Sequence, residues 1–272
     1  MSLGKKAVER LANKAILITG ASSGIGMATA KEFAAASQGH IKLILGARRQ
    51  QRLIDLSNHL KSLYPAIQIH TSFLDVTEKE SILSFVKNIP QDFEPDILIN
   101  NSGKALGKAT VGEIEDEDIH GMMDTNVVGL IDMTQAVLPI FKQKNRGIIY
   151  NVGSVAGVDS YAGGSVYCAS KAAVRYFTDS LRKELINTKI GVMEIDPGAV
   201  SSTEFSLTRF KGDQGAADAV YSGTNPLVAD DIAEIIVFGC SRKENTVMAQ
   251  TIVYPQHQAS ASLIHREVTT PE

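Results

Sequence analysis

Two cysteines in 272 residues, Cys168 and Cys240, are too few and too far apart for a disulfide framework or a Cys-x-x-Cys pair. That scarcity fits a reducing compartment. Basic residues hold no surplus: 27 Lys and Arg stand against 30 Asp and Glu, a formal charge of −3. Such a chain is poorly suited to grip a phosphate backbone, so nucleic acid is not an expected partner. No apolar run approaches the ~20 residues that a membrane-spanning helix needs, so no membrane partner is expected. The stretch Met1–Lys14 lacks the apolar core and cleavage site of a secretory signal. Residue 2 is Ser, which excludes myristoylation, and Thr269–Glu272 matches no C-terminal address. The six histidines show no ligand spacing, so no metal site is expected. A cytoplasmic protein is the default expectation.

What is present is alternation. Short, β-branched apolar runs read as strands at Ala15–Thr19, Ile41–Leu45, Ile67–Phe73, Asp96–Asn100, Ile148–Val152, Ile190–Ile195 and Thr251–Tyr254. Several are continuous rather than alternating, as in strands covered on both faces. Amphipathic stretches lie between them: Gly24–Ser37, Gln50–Leu63, Glu78–Asn88, one long helix from about Glu113 to Lys142, Val166–Asn187 and Asp230–Ser241. Thr77-Glu78-Lys79-Glu80 fits a capping box. Pro65, Pro90, Pro139, Pro197 and Pro255 fall near the ends of these elements. The pattern implies an α/β fold: a doubly wound, seven-stranded parallel sheet with helices on both faces. No repeat or Gly/Ser/Pro-rich linker divides the chain, so residues 1–272 read as a single dinucleotide-binding catalytic domain. Residues 201–225 are more polar, with Gly212, Gly215 and Gly223, and read as an excursion with a short helix or two.

The first strand runs into Gly20-Ala21-Ser22-Ser23-Gly24-Ile25-Gly26, and a helix follows at once. Glycines here allow a tight turn, close approach to a pyrophosphate and close helix–sheet packing. The spacing differs from Gly-x-Gly-x-x-Gly, so position carries the assignment: first strand, turn, helix. The second strand ends in Ala47-Arg48-Arg49. An acid there would suit the ribose of NAD; an arginine suits the 2′-phosphate of NADP. Asp75 closes the third strand and could accept from an adenine amino group or cap a turn before Thr77. Asn100-Asn101-Ser102-Gly103 ends the fourth strand, beside the expected switch point. Tyr167 and Lys171 are four apart on one predicted helix, so they share a face. Ser154, after the fifth strand, can reach the same point. A tyrosine works near neutral pH only if its pKa falls from about 10, which a nearby ammonium and an oxidised nicotinamide would favour.

These motifs together resemble the short-chain dehydrogenase/reductase family over nearly the whole chain, with Asn126 and Pro197-Gly198 in the expected order. The resemblance implies that Tyr167 exchanges the proton, Ser154 hydrogen-bonds the substrate oxygen, and Lys171 holds the nicotinamide ribose. It implies that Asn126 steadies a relay water, that Asp75 contacts adenine and that Asn101 meets the neighbouring ribose. Pro197-Gly198 with Val200 would face the nicotinamide carboxamide. The stretch Pro197-Gly198-Ala199-Val200-Ser201-Ser202-Thr203 has one residue more than the family's turn, so the covering hydroxyl could be Ser202 or Thr203.

A narrower resemblance is to the fungal branch that oxidises serine and other 3-hydroxy acids with NADP. It rests on stretches such as Lys104-Ala105-Leu106-Gly107, Thr134–Phe141, Ser180–Lys189 and Glu204-Phe205-Ser206. It implies an NADP(H)-dependent oxidoreductase. The wider family implies, by analogy, a homotetramer paired through the long helices at Glu113–Lys142 and Val166–Asn187, and the polar segment 201–225 would form the substrate lid. The alternatives are a broad carbonyl reductase of ketones and aldehydes, or a non-catalytic NADP sensor. An intact Asn126, Ser154, Tyr167 and Lys171 set argues against the sensor.

Overall fold

A computed structural model of the chain describes residues 2–267; the stretch Thr269–Glu272, read above for address signals, lies outside them. The strands are β1 (Ala15–Thr19), β2 (Lys42–Ala47), β3 (Gln68–Phe73), β4 (Ile97–Asn100), β5 (Gly147–Val152), β6 (Ile190–Pro197) and β7 (Thr251–Val253). They form one seven-stranded sheet in the order β3-β2-β1-β4-β5-β6-β7, and every pairing is parallel.

Successive side chains of a strand point to opposite faces, and each face finds its own apolar layer. Ile16 and Ile18 of β1 pack with Phe33, Leu53 and Ile236. These come from α2 (Gly24–Ala36), α3 (Gln50–Leu63) and α10 (Ala229–Cys240). Leu17, between them, packs on the other face with Phe85, Phe141 and Leu181. Those come from α4 (Lys79–Lys87), α6 (Gly129–Lys144) and α7 (Ser165–Glu184). Burial on both faces explains why the inner strands read as continuous apolar runs.

Three local expectations are corrected. The long helix expected from about Glu113 is α5 (Asp116–Met123) and α6 separated by a π-turn, Asp124–Val128. There the Gly129 N–H reaches back to Asp124 O. A Cβ on Gly129 would lie 2.3 Å from Val76 O, so glycine lets this turn press against the loop that follows β3. Pro139 lies inside α6 rather than near its end, because the helix runs on to Lys144 and stops at Asn145 in a left-handed conformation. The Thr77–Glu80 capping box does not form. Asp75 Oδ1 instead accepts from the Thr77 N–H and hydroxyl at 3.0 and 2.8 Å, and α4 begins without a side-chain cap.

One helix carries no expectation, whereas the excursion reads as holding a short helix or two. The segment Ser2–Leu11 is a helix, α1, anchored by fully buried Leu11. The excursion at 201–225 holds two short helices, α8 (Phe205–Arg209) and α9 (Gln214–Ala219).

Candidate active site

Strand order reverses between β1 and β4, so the turns that leave their carboxyl ends diverge and open a crevice. That crevice is a cleft of about 810 Å³. Gly20 at the end of β1 has φ +66° and a Cβ there would lie 2.9 Å from Asn101 Nδ2. The β1 and β4 turns are knitted at this point. Thr19 Oγ1 accepts from the backbone N–H of Asn101 and Ser102, each at 3.0 Å. Asn101 Nδ2 donates to Thr19 O at 2.9 Å.

The α2 N-terminus faces the cleft behind this turn, and its N-cap residue Ser23 makes no side-chain capping bond. Its first N–H groups therefore remain available to an anion. Ser22 and Ser23 hydroxyls accept from Arg49 Nη2 at 3.1 and 2.7 Å. Arg49 and Arg52 each donate to a carboxylate oxygen of Glu204 at 2.6 Å. Burial would raise the Glu204 pKa, but these two guanidiniums outweigh it and hold it below the usual carboxylate range. Asp75 lies nearby. Burial would raise its carboxyl too, but its Thr77 bonds and the Arg48 charge keep it low.

The opposite end of the cleft is built on α7. Tyr167 and Lys171 are both buried and both line the wall. Lys171 Nζ donates to Val152 O at 2.8 Å. Burial pushes the Lys171 ammonium down to about 8, against the pull of Glu194 and Asp196 on β6. Burial raises the Glu194 carboxyl above the usual carboxylate range, and repulsion by Asp196 adds to it. Asp196 also accepts from the Ser154 N–H at 3.0 Å and so sets the loop that carries the serine. Burial drives the Tyr167 pKa above the ordinary tyrosine value, and the Ser154 hydroxyl and the charge of Arg209 only partly offset this.

Most of the sequence-derived residues line this one cleft: Gly20, Ser22, Ser23, Gly24 and Ile25; Arg48 and Arg49; Asp75 and Asn101; Ser154, Tyr167 and Lys171; Pro197, Gly198, Val200 and Thr203. Three do not. A Cβ on Gly26 would lie 2.5 Å from Gly20 O, which marks it as a packing position. Ser202 has φ +56° and is exposed; it is the extra residue of the turn, and Thr203 takes the cleft-facing place. Asn126 sits behind the wall. Its Oδ1 accepts from the Lys104 N–H at 2.8 Å, and its Nδ2 donates to Lys104 O and Ser170 Oγ at 2.8 and 3.0 Å.

Among the wall residues that the sequence did not single out are Tyr161, Glu204, Phe205 and Arg209. The Phe205 ring meets Tyr167 edge-on with centroids 5.6 Å apart. No spacing in the sequence announces these contacts, since they join segments far apart in the chain. Among the described residues, no group of three or more His, Cys, Asp or Glu is placed to hold a metal ion.

The short chain dehydrogenase family profile matches residues 14–213. The chain is 48% identical over 261 residues to an NADP-dependent 3-hydroxy acid dehydrogenase of Schizosaccharomyces pombe, covering 96% of this chain and 99% of that protein. It is 40% identical over 255 residues to sulfoacetaldehyde reductase 2 of Chromohalobacter salexigens, covering 93% and 98%. Its fold superposes with a TM-score of 0.86 on the closed form of a serine dehydrogenase complexed with NADP+, at 38% identity, covering 93% and 99%.

The geometry predicts how the cofactor-free protein titrates. Because burial disfavours phenolate, a titration followed at the tyrosinate absorbance should show no tyrosine ionising around pH 7. A component there would contradict this account of Tyr167.

Proposed function

The chain belongs to the short-chain dehydrogenase family, and on that premise we propose that it is an NADP-dependent oxidoreductase acting on a small 3-hydroxy acid, such as serine, or its carbonyl form. The observation that carries the reading is one cleft lined by both the β1 glycine turn with Arg48 and Arg49, and the Ser154, Tyr167 and Lys171 group. The donor set suits the cofactor: an uncapped helix end for the pyrophosphate and guanidiniums already engaged with anionic oxygens beside Ser22 and Ser23. NADP(H), when bound, supplies the hydride acceptor or donor. Gly20, Gly24 and Ile25 would bind it at the turn, with Gly26 letting α2 pack close. Arg48 and Arg49 would hold the 2′-phosphate, Asp75 the adenine and Asn101 a ribose. Pro197, Gly198, Val200 and Thr203 would flank the nicotinamide.

In this reading Tyr167 passes its phenolic proton to or from the substrate oxygen, which Ser154 steadies. Lys171, with its pKa near 8, carries the charge beneath. Asn126 acts as a positioning residue: it ties the Lys104 loop to Ser170, whose hydroxyl donates to Tyr167 O at 2.7 Å. The names of both curated relatives put an acid group, carboxylate or sulfonate, close to the reacting carbon, and the same is proposed for this chain's substrate. Residues 1–272 would act as one catalytic unit, with 201–225 as the lid. Phe205 against Tyr167 supports that role.

No helix among the described residues is long and apolar enough to cross a membrane. A cytoplasmic setting belongs to the same reading, supported by two buried free thiols. So does a homotetramer, supported by outward apolar side chains, Val128 in the π-turn before α6 at 49% exposure and Tyr176 on α7 at 71%.

Three measurements test these points. Tyr167→Phe should lower kcat by about 100- to 10,000-fold while NADPH binding stays measurable; near-normal turnover would end the mechanism. Replacing Arg48 and Arg49 together with Ala should raise the KM for NADPH by about tenfold or more and that for NADH far less. Equal effects would remove the 2′-phosphate assignment. Light scattering at micromolar concentration should give a four-chain mass, and a single-chain mass would refute the tetramer.

A further inference from the structure

An acid group brought into this cleft loses much of its hydration and needs a cation in return. Most cleft cations are committed elsewhere. The arginines after β2 face the glycine turn, and Lys171 is held by Val152 O. Lys104 lies in the field of Asp75, Asp124 and Asp118. Lys108 is exposed and stands over the Phe210 ring, 4.8 Å from its centroid. Arg266 donates to Val220 O and Ser222 O at the far end of the lid.

Arg209 differs. It ends α8 and is half-buried on the cleft wall. Its guanidinium donates to Gly107 O at 3.1 Å, Tyr161 Oη at 3.0 Å and Gly163 O at 3.2 Å, and lies over the Tyr161 ring, 5.4 Å from its centroid. All three acceptors are neutral. None of the salt bridges among the described residues includes it, so its charge is uncompensated by the protein. Three of the five N–H donors of a guanidinium are used, which leaves two for an oxyanion. Position agrees: Phe205, four residues earlier on the same helix face, touches Tyr167. Arg209 is also near enough for its charge to pull the Tyr167 pKa down.

We propose that Arg209 receives the acid group of the substrate and makes the enzyme select alcohols and carbonyls that bear a carboxylate or sulfonate next to the reacting end. This rests on the 3-hydroxy acid reading above. The same guanidinium fastens α8 to the loops at Gly107 and Gly163. Anion recognition and lid position therefore share one side chain.

The test compares 3-hydroxypropanoate with its methyl ester, using NADP+ and both the wild type and Arg209→Gln. Each compound gives a kcat/KM, and the acid-to-ester ratio is the readout, because a general loosening of the lid would lower both. The wild type should favour the acid. Arg209→Gln should cut the ratio by about 100-fold, chiefly through KM for the acid, and Arg209→Lys, which keeps charge without the fork, should fall between. An unchanged ratio in Arg209→Gln overturns the assignment of Arg209 while leaving the 3-hydroxy acid reading intact. A wild type that oxidises the ester but not the acid, or neither, overturns that reading and this inference with it. If Arg209→Gln does not fold, Arg209→Lys and wild-type inhibition decide. Malonate should compete with the acid and malonamide should not; equal inhibition by the two overturns the proposal.

Discussion

The site depends on strand direction. Because β1, β4, β5 and β6 all run the same way, their carboxyl ends meet at one edge of the sheet. The turn after β1 can then face an anion, while the loops after β5 and β6 bring Ser154 and Pro197 to the same crevice. The apolar layers on both faces hold that register, since a one-residue slip would turn every buried strand side chain to the wrong layer. The knot between Thr19 and Asn101 pins the two central turns where strand order reverses.

Electrostatics at the α7 end is a contest between burial and neighbouring charge. Burial opposes both ionised forms, so it lowers Lys171 and raises Tyr167. Glu194 and Asp196 favour the ammonium, and Arg209 at the end of α8 acts on the phenol. Helix α8 thus approaches the phenol twice, through the charge of Arg209 and through the Phe205 ring.

Much of this was legible in the sequence, for identifiable reasons. Strand positions agree with the apolar runs to within two residues at each end, because burial on both faces leaves no room for polar interruptions. Tyr167 and Lys171 were legible because helical spacing alone puts them on one face. Helix α1 was not, although Leu3, Ala7 and Leu11 fall at helical spacing, because the stripe is short and set among charged residues. The π-turn at 124–128 was hidden because its cause is a contact between Gly129 and Val76 O, distant in sequence. Asn101 and Asn126 were found as residues, but their side chains engage backbone that the sequence does not place beside them. Glu204 and Arg209 escaped because their partners, Arg49 and the Gly107 carbonyl, lie 155 and 102 residues away in the chain.

The central claim is a direct hydride transfer in this cleft. Its most direct test uses 3-hydroxypropanoate deuterated at the carbinol carbon, with NADP+ and the purified protein, and mass spectrometry of the NADPH formed. The account predicts that the deuterium appears in the nicotinamide ring. Unlabelled NADPH, with the deuterium lost to water, would contradict it.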